Sequence, residues 1–283
     1  AIDLAAVAPT RPDAATVFRG ATAQHLLLGL AVQVAVVAGT AAVAGLRAPD
    51  GTLERHFLPA VGRQPDAAVL EQGTTAGRWT RSRLADGYVK RHPTCAHLHG
   101  VDDAVEDLLT AAPIDPAGVE AITVRTYAAA ACFADPAPAN DLAARFSIPC
   151  SVAAAIAGGS PRPDRFRPEV LADPLVASLA RRVRVLHDPA LDEGYPAGRP
   201  AVVTVTMTSG SPREARAERP RGDGPGALAD PAVAAKPRQL LTAAVGAAAA
   251  DSLLDAVEGL GERGIAPLSG VLRRLTFAGR DRC

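Results

Sequence analysis

Apolar positions follow a helical period through the first fifty residues, alternate strictly in the middle third, and return to a helical period near the C-terminus. Ala14 to Gly45 is predicted helical and buried. Within it, Leu26 to Leu46 runs without a formal charge, long enough for a membrane span. Gln33, Thr40, three glycines and much alanine favour instead a buried helical hairpin, broken near Gly39-Thr40. Ala48-Pro-Asp-Gly51 is a turn signal. Short helices are expected from Thr52 and over Pro65–Leu70, with Trp79 as a core residue. Val101, Ala104, Val105, Leu108 and Leu109 fall on one helical face, and Asp102, Asp103, Glu106 and Asp107 largely on the other, which is expected to be solvated.

Val119–Tyr127, Val183–His187 and Ala201–Thr208 read as strands. Residues 128–144 read as loop, Ser151–Ala157 as a helix stopped by Gly158-Gly159, and Leu171–Arg182 as another helix. Gly210 to Gly226 reads as an exposed loop or a boundary, and helix resumes from Asp230, most clearly over Ala249–Leu260. Three strands suffice for a small antiparallel sheet with helices on one face. The expected class is α+β: a mostly α-helical domain with an inserted, smaller α+β lid domain. The expected segments are 1–86 (helical domain), 87–224 (lid) and 225–283 (return of the helical domain).

Composition narrows the function classes. Thirty basic residues balance thirty acidic ones, so neither nucleic acid nor a membrane surface is expected as a partner. Cys95, Cys132, Cys150 and Cys283 have no metal-finger spacing and read as reduced thiols of a cytoplasmic protein, with Cys95 and Cys150 placed to lie near a ligand. No phosphate-binding glycine loop or nucleophile elbow is present. His97 and His99 are two apart and diverge if extended, so no metal site is expected there.

The densest chemistry is Tyr88-Val-Lys-Arg-His-Pro-Thr-Cys-Ala-His-Leu-His99, which holds half of the six histidines. Pro93 favours an extended lead-in over Lys90–Thr94. Lys90 can hold a carboxylate and His99 can move a proton near neutral pH. Arg19 and the Phe146–Cys150 segment, including Ser147, are expected to converge on this pair.

These residues also resemble a known family. Lys90-x-x-Pro93-Thr-Cys95-x-x-x-His99 is similar to the K-x-[YF]-P-[ST]-C-x-x-x-H stretch of the MmgE/PrpD family. Ala144-Arg-Phe-Ser-Ile-Pro-Cys150 through Gly158 resembles its A-[KR]-F-S-[IL]-P-Y-x-V-A-x-A-x-x-x-G. Asp173–Val185 and Leu228–Lys236 look like later segments in the same order, so the likeness spans roughly residues 15–275. The resemblance implies a homodimeric, cofactor-independent and metal-free enzyme that moves a proton next to a carboxylate of a small polycarboxylate substrate. A hydro-lyase of the 2-methylcitrate dehydratase kind is the expected reaction; epimerisation, isomerisation or decarboxylation of a related acid, or a non-catalytic scaffold subunit, are the alternatives. It assigns Lys90 to anchoring or polarising a carboxylate and His99 to acid–base or positioning work. Three departures follow: an expected lack of the N-terminal part that carries an aspartate-rich motif and a histidine, Arg19 where a second lysine is usual, and Cys150 where a tyrosine is usual. A thiol has neither a phenol's reach nor its pKa.

Overall fold

A computed structural model describes residues 1–7, 17–60, 74–75, 78–79, 87–223 and 231–275. The expected helix at Pro65–Leu70, the side chain of Trp79 and Cys283 lie outside the described residues. The chain divides into two compact units, residues 1–85 with 92–219 and residues 86–91 with 220–283. Both helix and sheet are present, as an α+β class requires.

In the first unit, β1 (Val119–Thr126), β2 (Val183–His187), β3 (Ala201–Met207) and β4 (Arg213–Ala217) form one sheet in the order β2-β1-β3-β4. The sheet is mixed: β1 pairs parallel with β2 and antiparallel with β3, and β3 pairs antiparallel with β4. The expected all-antiparallel, three-stranded sheet is therefore corrected on two counts. A parallel neighbour needs a long crossover, and the segment between Thr126 and Val183 supplies it with five α-helices, the longest being Ile148–Ala157 and Pro174–Ala180. The fourth strand was not expected because three of the five residues in Arg213-Glu-Ala-Arg-Ala217 are charged and its apolar positions are only alanines. As an edge strand it keeps Glu214 and Arg216 toward water while Ala215 and Ala217 pack inward.

Alternation decides which side chains enter the core. Ile122, Val124, Val203 and Val205 join Val101, Val105, Ile148, Val152, Ile156 and Leu179 in the main cluster. Val202 points the other way, into a smaller cluster with Tyr127, Ala130 and Leu191. Each buried Val, Leu or Ile contributes roughly 1.5–3 kcal/mol relative to exposure. With α1 as Ile2–Ala6 and α2 as Ala23–Val43, the core helices are α3 (His99–Ala111), α4 (Ile148–Ala157) and α5 (Pro174–Ala180). Ser147 caps α4 by accepting from the Cys150 N–H at 3.0 Å, and Gly159 ends it at φ +68°. Arg213 of β4 donates to the carbonyls of Ala112 (2.7 Å) and Pro113 (3.0 Å), placing a cation at the C-terminus of α3.

The expectation of a buried hairpin at the N-terminus is overturned. α2 is one continuous helix through Gly39 and Thr40, and Leu26, Leu28, Val32, Val36 and Val37 on it are exposed. A single helical glycine costs only about 1 kcal/mol, and the Thr40 hydroxyl is satisfied by the Val36 carbonyl at 2.9 Å. His25–Val43 is long and apolar enough to cross a membrane by length and composition alone.

The second unit is helical over α6 (Pro231–Val245), α7 (Ala247–Glu258) and α8 (Ala266–Arg274). Gly246, at φ +82°, makes the corner between α6 and α7. α7 buries Ala250, Leu253 and Ala256 at helical spacing.

Candidate functional site

The stretch singled out in the sequence folds as an irregular lead-in, a single 3-10 turn over Ala96–Leu98, and the start of α3. It is stitched to the segment before α4: Cys95 N–H donates to Arg145 O at 2.9 Å, and the Arg145 guanidinium donates to Pro93 O at 3.2 Å. These bonds hold the lead-in with two surfaces, one turned into the core and one toward an aromatic belt.

The inward surface is a buried ionic network. The Asp102 carboxylate accepts from the Thr94 hydroxyl (2.7 Å) and the Ser151 hydroxyl (2.7 Å), and pairs with Arg165 at 2.9 Å. Arg165 also donates to Ser151 at 2.9 Å and stacks its guanidinium 4.9 Å from the centre of the Phe166 ring. His92 bonds Asp103 at 2.8 Å, and the His92 and His99 rings meet edge-on at 5.4 Å. Asp102 and Asp103 are 1% and 2% exposed, so the reading of them as a solvated face is corrected. Period alone put them opposite the apolar stripe; the helix is covered there too because Arg165, Thr94, Ser151 and His92 provide the partners that make burial of carboxylates tolerable. Burial by itself would raise the Asp102 pKa, yet Arg165, His92, the Thr94 hydroxyl and His99 together hold it below the usual carboxylate value.

The outward surface holds His97. Its Nδ1 lies 2.5 Å from Tyr127 Oη, and its ring stacks on Phe133 at 5.6 Å and meets Tyr195 at 5.8 Å. Tyr127 and Tyr195 stack at 4.8 Å, 15° from parallel. Phe18 extends the belt, 5.1 Å from Phe133 and 5.4 Å from Phe146. Burial, then the nearby Arg199 charge, keeps the His97 pKa below its usual value. Burial holds the Tyr127 phenol protonated, against the opposing pull of Arg199. His97 is thus a half-buried, neutral imidazole with a phenol fixed to one ring nitrogen.

The other predicted residues are distributed around this centre. His99 is fully buried, with Nε2 3.3 Å from Thr94 O. Cys95 is half-buried at the start of the 3-10 turn, and its thiol is among the groups acting on Tyr127. Arg19 is exposed beside Phe18, so its neighbour touches Phe146 of the predicted segment. Ser147 is buried, donating to Asp135 O at 2.5 Å while it caps α4. Cys150 is buried at the wall of a cavity of about 570 Å³ formed with Pro136–Asp141, Leu171, Val176 and Arg181. Its thiol is pushed up to about 11, chiefly by burial. Lys90 belongs to the second unit and His99 to the first. His92, Asp103 and Glu106 are described residues whose donor atoms come within 4.8 Å of one another and could hold a cation, although two of those atoms already bond each other.

Sequence reasoning missed Tyr127, Tyr195 and Arg199 as companions of His97. They come from the end of β1 and the segment before β3, and only strand pairing brings them together. The one local signal is Gly100. A Cβ there would stand 2.1 Å from the backbone oxygen of Arg199, so α3 can approach this segment only with glycine at that position. Gly100→Ala is expected to lower stability by about 1–3 kcal/mol through overpacking, read from urea unfolding midpoints; an unchanged midpoint would refute this account of the contact.

The comparisons agree with the residue-level resemblance. No individual curated protein matches the chain. Residues 92–261 match the MmgE/PrpD C-terminal domain, a span that takes in the whole sheet, α3 to α7 and both surfaces of the lead-in. The chain belongs to the MmgE/PrpD family.

Proposed function

We propose that this chain is a cofactor-independent lyase of the 2-methylcitrate dehydratase kind, acting on a small polycarboxylate by proton abstraction and elimination of water. The observation that carries the proposal is the His97–Tyr127 pair. It is a neutral imidazole oriented by a buried phenol within a family stretch rich in cations. In the productive tautomer Nδ1–H donates to Tyr127 Oη, which leaves Nε2 to accept the proton next to a carboxylate. Tyr127, 1% exposed, positions the ring and does not meet substrate. Burial, and after it the Arg199 charge, favours the neutral imidazole before the reaction. Lys90, as the family resemblance suggests, anchors a substrate carboxylate as a point charge. His99, buried beside His92, is read as a positioning group for the lead-in.

The test is turnover of 2-methylcitrate, citrate and cis-aconitate by the whole chain and by Lys90→Ala. Turnover that falls at least about ten-fold in the variant is expected, the scale of a lost charge-assisted hydrogen bond. An intact protein that neither turns over nor binds any of the three acids would sink the enzyme reading and favour a scaffold role.

A further inference from the structure

In the second unit the segment carrying Lys90 is clamped by the chain that returns after the sheet. Val89 N–H donates to Gly222 O at 2.9 Å. Gly222 has φ +89°, and a Cβ on it would stand 2.2 Å from Val89 O, so this close approach requires glycine. From α6, the Lys236 ammonium donates to the main-chain oxygen of Lys90 itself. Burial, then the charge of Lys90, lowers the Lys236 pKa. Two other cations of this helical region are paired: Arg238 with Asp251, and Arg263 with Asp255 at 2.9 Å. Lys90 and Lys236 have no acidic partner among the described residues.

The Lys236 ammonium therefore sits on the Lys90 main chain, within reach of the charge of the exposed Lys90 side chain; like charges without a counter-charge repel, and that repulsion is relieved when a dianion arrives. We propose that Lys236 is a second carboxylate-binding residue, forming with Lys90 a two-lysine site for a dianionic group such as two carboxylates on one small acid. This rests on the reading of Lys90 as a carboxylate anchor and extends it by naming its partner and the ligand's charge class. Lys236 acts in two ways: it fixes the Lys90 backbone through the carbonyl bond, and its remaining ammonium protons are offered to the ligand. A monocarboxylate satisfies one lysine and leaves the other unpaired, so the site discriminates by charge.

The experiment is calorimetric titration of the full chain with malonate, inorganic sulfate and acetate, for the wild type, Lys90→Gln, Lys236→Gln and Lys236→Arg. Malonate and sulfate are expected to bind more tightly than acetate. Each glutamine variant should weaken malonate by about ten- to hundred-fold, as loss of a hydrogen bond to a charged group does, while Lys236→Arg retains most of the affinity. Equal affinity for malonate and acetate, no dianion binding, or unchanged malonate affinity in a folded Lys236→Gln would each overturn the proposal. Should Lys236→Gln fail to fold, acetylation of wild-type lysines read by mass spectrometry decides the matter: malonate should protect Lys90 and Lys236 together, and protection of Lys90 alone refutes the doublet. Parallel turnover assays separate the two readings. Undiminished 2-methylcitrate turnover in Lys236→Gln removes the doublet and leaves the lyase standing. Dianion binding that needs both lysines, in a protein without turnover, does the reverse.

Discussion

Asp102→Asn is expected to destabilise the first unit by about 3–5 kcal/mol, the range for breaking a buried ion pair from one side. The reason lies in what is left behind. Arg165 is 3% exposed, and its counter-charge is the Asp102 carboxylate 2.9 Å away. An asparagine keeps the shape but removes the charge, leaving a guanidinium in the core beside Phe166. Removing both charges with Asp102→Leu and Arg165→Met is expected to recover a large part of the loss, since a buried pair gains little over well-packed apolar groups. Recovery should be incomplete because Thr94 and Ser151 also lose their acceptor. The pH dependence has a definite sign. Asp102 is more acidic folded than unfolded, so its stabilisation is fully present above the ordinary carboxylate value of about 3.9 and disappears as pH falls through the lower folded value. Urea midpoints measured from about pH 2 to pH 7 should therefore fall more steeply in acid for the wild type than for Asp102→Asn. Parallel curves would show that the carboxylate is not the group being titrated.

The second large effect concerns catalysis. His97→Gln is expected to reduce kcat by about 10²–10⁴-fold, the span typical of losing a positioned general base, with little change in the unfolding midpoint because the ring is only half-buried. Turnover should require neutral His97 and fall as pH drops through its depressed pKa, below the usual histidine value of about 6.5. Arg199 opposes protonation of the ring. Arg199→Gln should therefore raise the His97 pKa and move the acid limb of the rate profile to higher pH, a shift that a merely structural role would not produce. Full activity in a folded His97→Gln would exclude the imidazole as the base.

The glycine stop of α4 and the helices after residue 230 were legible along the chain, because each depends on residues within one turn of one another, whereas the Ser147 cap starts α4 at Ile148, ahead of the expected Ser151. Also legible were the density of titratable groups in the Lys90–His99 stretch and its likeness to a family pattern. Which way each histidine ring faces was not. His97 and His99 differ by two positions in a segment that begins as a 3-10 turn and becomes α-helix, and this geometry turns one ring into the core and the other onto Tyr127. Likewise, the acidic run after His99 suggested a wet face because its partners, Arg165 and Ser151, lie far along the chain.

By itself, then, the sequence determined the mixture of helix and strand, most strand positions, the family and the segment where charge chemistry concentrates; each is a matter of local period, capping or motif. Tertiary structure decided that the sheet is mixed and four-stranded, that α2 continues unbroken, that Asp102 and Asp103 are core residues, and that Tyr127, Tyr195 and Arg199 surround His97. It also brought Lys236 to Lys90. In most of these the deciding partner is remote in sequence, so pairing and burial, which no local window contains, set the outcome.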